Sequence, residues 1–211
     1  SFFSVQIMLI RWFLSPRVPI VFYNNHIASF STFSYRLGWL YSLLSRIMIP
    51  RMTAAFCINS KAVEALKEIG FNGPIIEQFY GVNSDLFTGI TKHDARKLLH
   101  IDDNAVIFLY AGRLVELKGV QDLIEAFGRL QHQRPDHVLK LLIIGNGDFE
   151  SKLHQQVQQL QLQDVEFRNV VPHEEIPTYM AAADVMVLPS RTEIDEQFGR
   201  VNVEAMLSGT A

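Results

Sequence analysis

Residues 105–111 read Ala105-Val106-Ile107-Phe108-Leu109-Tyr110-Ala111, an uncharged apolar run closed by Gly112-Arg113. A run this short, rich in branched and aromatic side chains and ended by glycine, reads as a strand buried on both faces. The pattern then repeats. Val120, Leu123, Ile124, Phe127 and Leu130 fall at helical spacing. Val138–Ile144 reads as a strand, Phe149–Leu160 as a helix, Val165–Phe167 as a strand and Glu174–Ala182 as a helix. Asp184–Leu188 and Arg200–Ser208 complete a βαβαβαβα order. Such an order predicts an α/β fold, a parallel sheet with helices on both faces. Ligands of these sheets bind beyond the C-terminal strand ends. The polar residues after each strand are therefore the candidates for chemistry.

Upstream the pattern is looser. Val18–Tyr23, Ala54–Ile58 and Pro74–Gln78 read as strands. A helix through Phe33, Leu37, Leu40, Tyr41, Leu44 and Met48 stops before Pro50. Ser60 is the expected N-cap of a helix over Lys61–Ile69 that Gly70 closes. The polar stretch from Asn83 to Asn104, with a short helix near Asp94–Leu99, reads as a connection between two domains.

The chain has 211 residues, a formal net charge of -3 and 48% apolar residues, which excludes a disordered polymer. A single cysteine, Cys57, excludes a disulfide scaffold. Charge is uneven. Residues 1–63 carry Arg11, Arg17, Arg36, Arg46, Arg51 and Lys61 and no Asp or Glu, whereas all 22 acids follow. The same segment holds twelve aromatics, Phe2 through Phe56. A basic, aromatic surface without acids suits an anionic membrane face; the alternative is a buried lobe with a few surface arginines. No nucleic-acid motif is present, so nucleic acid is not an expected partner. The apolar segment Ser1–Leu14 is broken by Arg11 and falls short of the ~20 residues of a spanning helix.

Three strand ends stand out. Gly112-Arg113 and Lys118-Gly119 bracket a loop feeding a helix. Gly145-Asn146-Gly147 permits close approach of a ligand to the backbone, but with Asp148 it lacks the third glycine of a dehydrogenase fingerprint. Residues 189–199 (PSRTEIDEQFG) open the last helix, whose free N–H groups favour an anion. Two cations and that helix start suit a diphosphate. Glu204 falls on a helix with apolar residues on both faces, where a buried carboxylate requires a partner. A sugar hydroxyl pair would serve; so would an i,i+4 ion pair with Arg200. Glu196, separated from Glu204 by seven residues, reads as a loop residue ahead of that helix, and the ion pair would leave it unexplained. No aspartate pair or His/Cys cluster is spaced for metal ligation.

This constellation resembles glycosyltransferase family 4, the retaining nucleotide-sugar enzymes of two-lobed GT-B fold. The matching pieces are the Gly112–Gly119 loop, Gly145-Asn146-Gly147, residues 165–172 (VEFRNVVP), residues 184–190 (DVMVLPS), and Glu196-Gln197-Phe198-Gly199 with Glu204-Ala205-Met206 and Gly209, the E-x7-E signature. Gly81-Val82-Asn83 resembles the end of the family's first lobe. The resemblance implies two Rossmann-like lobes. Residues 1–88 would be the end of the acceptor-binding lobe, 89–104 the linker and 105–211 the nucleotide-sugar-binding lobe. Both lobes would be incomplete, truncated at the two ends of the chain, so that this stretch by itself would be inactive.

The resemblance also implies roles. Arg113 and Lys118 would hold the donor diphosphate and stabilise the leaving group. Glu204 would bind the ribose. Glu196, with Phe198 and Gly199, would contact the donor sugar, and His26 would match a histidine contacting that sugar. Gly112, Gly145, Asn169 and Val171 would lie at the base or diphosphate. Asn169 stands where the family often has Gly, and Tyr80 and Asn83 flank Gly81-Val82 where Asn and Asp are usual. No metal or other cofactor is expected beyond the nucleoside diphosphate sugar itself. The acceptor would be a glycan or a lipid-linked group. The setting would be cytoplasmic, at the inner face of a membrane. Two other functions fit the same residues: a nucleotide-sugar epimerase, or a nucleotide-binding module without catalysis.

Overall fold

The computed structural model describes residues 7, 10, 11, 13, 17–24, 38–78, 81–191 and 199–211. The chain divides into two compact units, Ser1–Tyr80 and Gly81–Ala211. Each contains a wholly parallel sheet.

In the first unit, strands β1 (Val21–Asn24), β2 (Ala54–Cys57) and β3 (Ile75–Glu77) lie in that order. Helix α1 (Gly38–Met48) runs into a short 3-10 turn at Pro50, and α2 (Ser60–Glu68) joins β2 to β3. The core gathers Ala55, Cys57, Ile58, Leu66 and Phe71. The cap of α2 is Asn59 rather than Ser60. Asn59 is extended and its side chain accepts the Ala62 N–H at 2.9 Å, while Ser60 is already helical. Either side chain suits the role; the backbone conformation decides.

The second unit begins earlier than the sequence suggests. Helices α3 (Ser84–Phe87) and α4 (Lys92–Leu99) are part of it, so residues 89–104 are no free linker. Phe87 is fully buried against a core containing Tyr179, Met180 and Ala205. Arg96, which makes the stretch look solvated in sequence, is only 3% exposed. Its Nε donates to the Ala182 carbonyl at 3.0 Å, its Nη1 to the Asp103 carbonyl at 2.7 Å, and its Nη2 to Asp184 at 2.7 Å. Lys92 reaches the other Asp184 oxygen at 2.7 Å, and the Ile107 N–H donates to the carboxylate. Burial by itself would raise the pKa of Asp184. The Lys92 hydrogen bond, the Ile107 N–H and the two nearby cations outweigh it and hold the carboxyl below its ordinary value.

Strands β4 (Val106–Ala111), β5 (Leu139–Ile144), β6 (Val165–Arg168) and β7 (Val185–Met186) form the second sheet, ordered β6-β5-β4-β7. Helices α5 (Val120–Gln133), α6 (Glu150–Gln159), α7 (Ile176–Ala182) and α8 (Arg200–Leu207) connect or follow them. The expected alternation holds, with β7 shorter than the apolar run that carries it. Period-two alternation splits β4 and β5 between two cores. Tyr110, Leu141 and Ile143 face Ile124, Phe127 and Leu153, while Leu109, Leu142 and Ile144 face Met180 and Ala205. The order reverses at β4: two strands are added on one side of it and β7 on the other. A crevice opens at the C-terminal ends of such a switch point.

Candidate active site

The loop after β4 is built before it is charged. Tyr110, wholly buried, donates its hydroxyl hydrogen to the Arg113 carbonyl at 2.8 Å. Leu114 is 1% exposed and roots the loop in the core. Its N–H donates to the Asn146 carbonyl at 2.8 Å, and its carbonyl accepts from Phe149 N–H at 3.0 Å. Between these anchors Arg113 stands exposed, with no ion pair among the described residues. Lys118 closes a 3-10 turn (Glu116–Lys118), and Gly119, in the left-handed region, starts α5.

Close approach of backbones sets the glycines. At Gly145 (φ +146°) a Cβ would lie 1.8 Å from the Gly112 carbonyl oxygen, and at Gly119 (φ +71°) one would lie 2.0 Å from the Pro189 oxygen. Gly145 admits the neighbouring loop at this close distance. The chain after β7 is held in the same way as far as Arg191. The Arg191 N–H donates to the Leu117 carbonyl at 3.0 Å, and its guanidinium grips Asp122 of α5 with contacts of 2.9 and 3.0 Å. The Arg191 hydrogen bond depresses the Asp122 pKa.

These loops wall a cavity of about 460 Å³ along the C-terminal edge of the sheet, within the second unit. One part of its wall is charged: Arg113, Lys118, Arg200 and Glu204. Another is apolar, with Ile144, Val170, Val171, Ile176 and Met180. His173 also lines it, held edge-on to Phe87 with ring centroids 5.7 Å apart. The set suits a ligand with an anionic section and a flat apolar section.

Of the residues singled out in sequence, the cavity gathers Gly112, Arg113, Lys118, Gly145, Val171, Gly199 and Glu204. Asn169 does not line it; β6 ends at Arg168, and the chain presents Val170 and Val171 instead. His26, Glu196 and Phe198 lie outside the described residues. Glu204 is 8% exposed in its side chain and sits in the wall, yet it also pairs with Arg200, Nε to Oε1 at 3.0 Å. Of the two sequence readings of Glu204, the ion pair with Arg200 is present. Arg200 and His173 were not foreseen as site residues. Arg200 had a signal: it is the first residue of a helix that starts at the sheet's C-terminal edge. Among the described residues no group of three or more His, Cys, Asp or Glu side chains is placed to hold a metal ion.

Residues 91–211 match the family model of the glycosyl transferases group 1. The chain belongs to that family. The group 1 match covers α4 and the whole cavity wall. Among curated relatives, a D-inositol 3-phosphate glycosyltransferase of Pseudarthrobacter chlorophenolicus is 36% identical over 133 residues, covering 62% of this chain and 31% of that one. A GDP-mannose-dependent monoacylated alpha-(1-6)-phosphatidylinositol monomannoside mannosyltransferase of Corynebacterium glutamicum is 34% identical over 191 residues, 85% of this chain and 49% of that one. The group 1 chain thus spans no more than about half the length of these two curated relatives. Its fold matches the crystal structure of HepE from Anabaena in complex with UDP and glucose, with a TM-score of 0.77 at 24% identity over 98% of this chain and 55% of that one. The lipopolysaccharide glycosyltransferase WaaG gives a TM-score of 0.73 at 17% identity, over 99% of this chain and 62% of that one. The architecture is that of GT-B glycosyltransferases, with parallel sheets flanked by helices.

Proposed function

We propose that this chain carries the donor-binding lobe, and the end of the acceptor-binding lobe, of a retaining, metal-independent hexosyltransferase of family 4. It would act on a nucleoside diphosphate sugar in polysaccharide, glycolipid or cell-envelope synthesis. The observation that carries this reading is the joint presence of Arg113, Lys118 and Glu204 in one cavity at the sheet's C-terminal edge. The names of the relatives, a GDP-mannose-dependent enzyme and a protein crystallised with UDP and glucose, support the donor class.

Chemistry assigns the roles. The bond between the anomeric carbon and the diphosphate oxygen breaks, and its electron pair stays with the diphosphate. Negative charge grows where Arg113 and Lys118 stand, and preorganised cations there lower the barrier. Glu204 is assigned by resemblance to the ribose, whose hydroxyls would donate to its carboxylate. Glu196, the other acid of the E-x7-E pair, and His26 are assigned to the donor sugar by resemblance. The acceptor oxygen bonds to the anomeric carbon on the face the diphosphate leaves, and its proton passes to the departing phosphate. Calorimetry of the chain with UDP, GDP and ADP is expected to show binding of one of them, unchanged by EDTA. Binding that vanishes in chelator and returns with a divalent ion would overturn the metal-free assignment.

The acceptor side is assigned to the first unit, at a cytoplasmic membrane face. Among the described residues no helix is long and apolar enough to cross a membrane. The acid-free segment does expose Ile7, Ile10 and Phe13, the last at 79%, in the stretch that carries Arg11 and Arg17. Apolar and cationic side chains interleaved in this way suit an anionic bilayer surface. Co-sedimentation with vesicles containing anionic lipid, and not with neutral ones, is the expected result; equal binding to both would remove the electrostatic part.

A further inference from the structure

Arg200 can be read as the structural partner of Glu204, but its surroundings ask more of it. It opens α8 directly after Gly199, a left-handed residue with φ of 59°. The pair it makes is lopsided. The Glu204 side chain is 8% exposed and the Arg200 side chain 55%, and both line the cavity. An ordinary i,i+4 pair lies on a solvated helix face and contributes a few tenths of a kcal/mol. Here the acid is sunk in the wall and the cation opens toward the space that the wall encloses.

We infer that Arg200 is a donor-binding residue with two tasks: its Nε orients Glu204 for the ribose, and the rest of its guanidinium meets the donor diphosphate. This rests on the nucleotide-sugar reading above and adds a third cation to it. A guanidinium carries five N–H donors in a rigid fork. The contact with Glu204 uses Nε, and no other partner of Arg200 is found among the described residues. The remaining fork suits two phosphate oxygens at once. Among the described lining residues Arg113, Lys118, Arg200 and the acid Glu204 make up the charged part of the wall.

Calorimetry with inorganic pyrophosphate and with the nucleoside diphosphate that the wild-type chain prefers tests this, using Arg200→Ala, Arg200→Lys, Glu204→Gln and the double variant Arg200→Ala/Glu204→Gln. Arg200→Ala should weaken both ligands by about 10- to 100-fold. The loss should persist in the Glu204→Gln background, and Arg200→Lys should recover only part of it. Should pyrophosphate bind equally with or without Arg200 in the Glu204→Gln background, the arginine acts only through the acid and the diphosphate contact is wrong. A wild-type chain that binds neither ligand overturns the nucleotide-sugar reading itself and this inference with it. Melting curves accompany each variant; Arg200→Gln, which keeps a hydrogen-bond donor without the charge, replaces an alanine variant that does not fold.

Discussion

Arg113→Ala is expected to lower glycosyl transfer by the enzyme that carries this chain by about two to three orders of magnitude, the loss typical of removing one preorganised electrostatic donor at a developing oxyanion. Lys118→Ala should fall in the same range. A unit charge 4 Å from another is worth ~4 kcal/mol at an effective dielectric near 20, so one lost contact accounts for an effect of this size. The Arg113 effect should be purely functional. Its side chain is exposed and has no ion pair among the described residues, so the melting temperature should stay within the small range of ordinary surface substitutions. Steady-state kinetics with the preferred donor, read beside a melting curve, checks both statements. Transfer within threefold of wild type, or a large drop in stability, would remove Arg113 from the leaving-group role.

The second large effect lies away from the cavity. Asp184→Ala should destabilise the second unit by about 3–5 kcal/mol, because it leaves the buried Arg96 guanidinium without its carboxylate. Arg96→Ala should do the same from the other side. For a unit of this size the melting temperature falls by roughly 10 °C or more. The acid limb of the stability curve gives the sign. The pKa of Asp184 is depressed below its ordinary value of 3.8 by folding. Above that value its contribution is fully present. As pH falls below it the unfolded chain takes up a proton first, and stability drains away until the folded-state pKa is passed. Glu166 and Asp122 are depressed as well and share this limb, so the comparison with Asp184→Asn isolates the part due to Asp184. An Asp184→Asn chain with the same acid limb as wild type would refute this account. For Glu166, burial opposes the shift, and the Lys140 and Arg168 contacts at 2.5 Å overcome it.

Hydrophobic period made the second sheet legible. Val106–Ala111 and Leu139–Ile144 are buried or half-buried along both faces, and such parallel strands read as apolar runs, interrupted here by Lys140. The gathering of Arg113, Lys118 and Glu204 was legible for a topological reason, since all three follow strand ends of one sheet. What escaped the sequence was decided by contacts between distant segments. Residues 83–104 look like a linker because they are polar, but the partner that neutralises Arg96 is 88 positions away. Asn169 is a ligand contact by resemblance alone, and Val170 and Val171 line the cavity in its place. Arg200 escaped because an i,i+4 acid gave it a sufficient local explanation, and only burial shows how unequal the two ends of that pair are.

The interlocked glycines carry a further consequence. Gly145 against Gly112, and Gly119 against Pro189, tie three separate loops together through main-chain atoms. Arginine and lysine gathered in a small space repel one another, and freely moving loops would let them drift apart. Locked peptide planes limit that relaxation along the main chain that carries Arg113 and Lys118. Side-chain changes on these loops should therefore leave the backbone beneath the two cations in place.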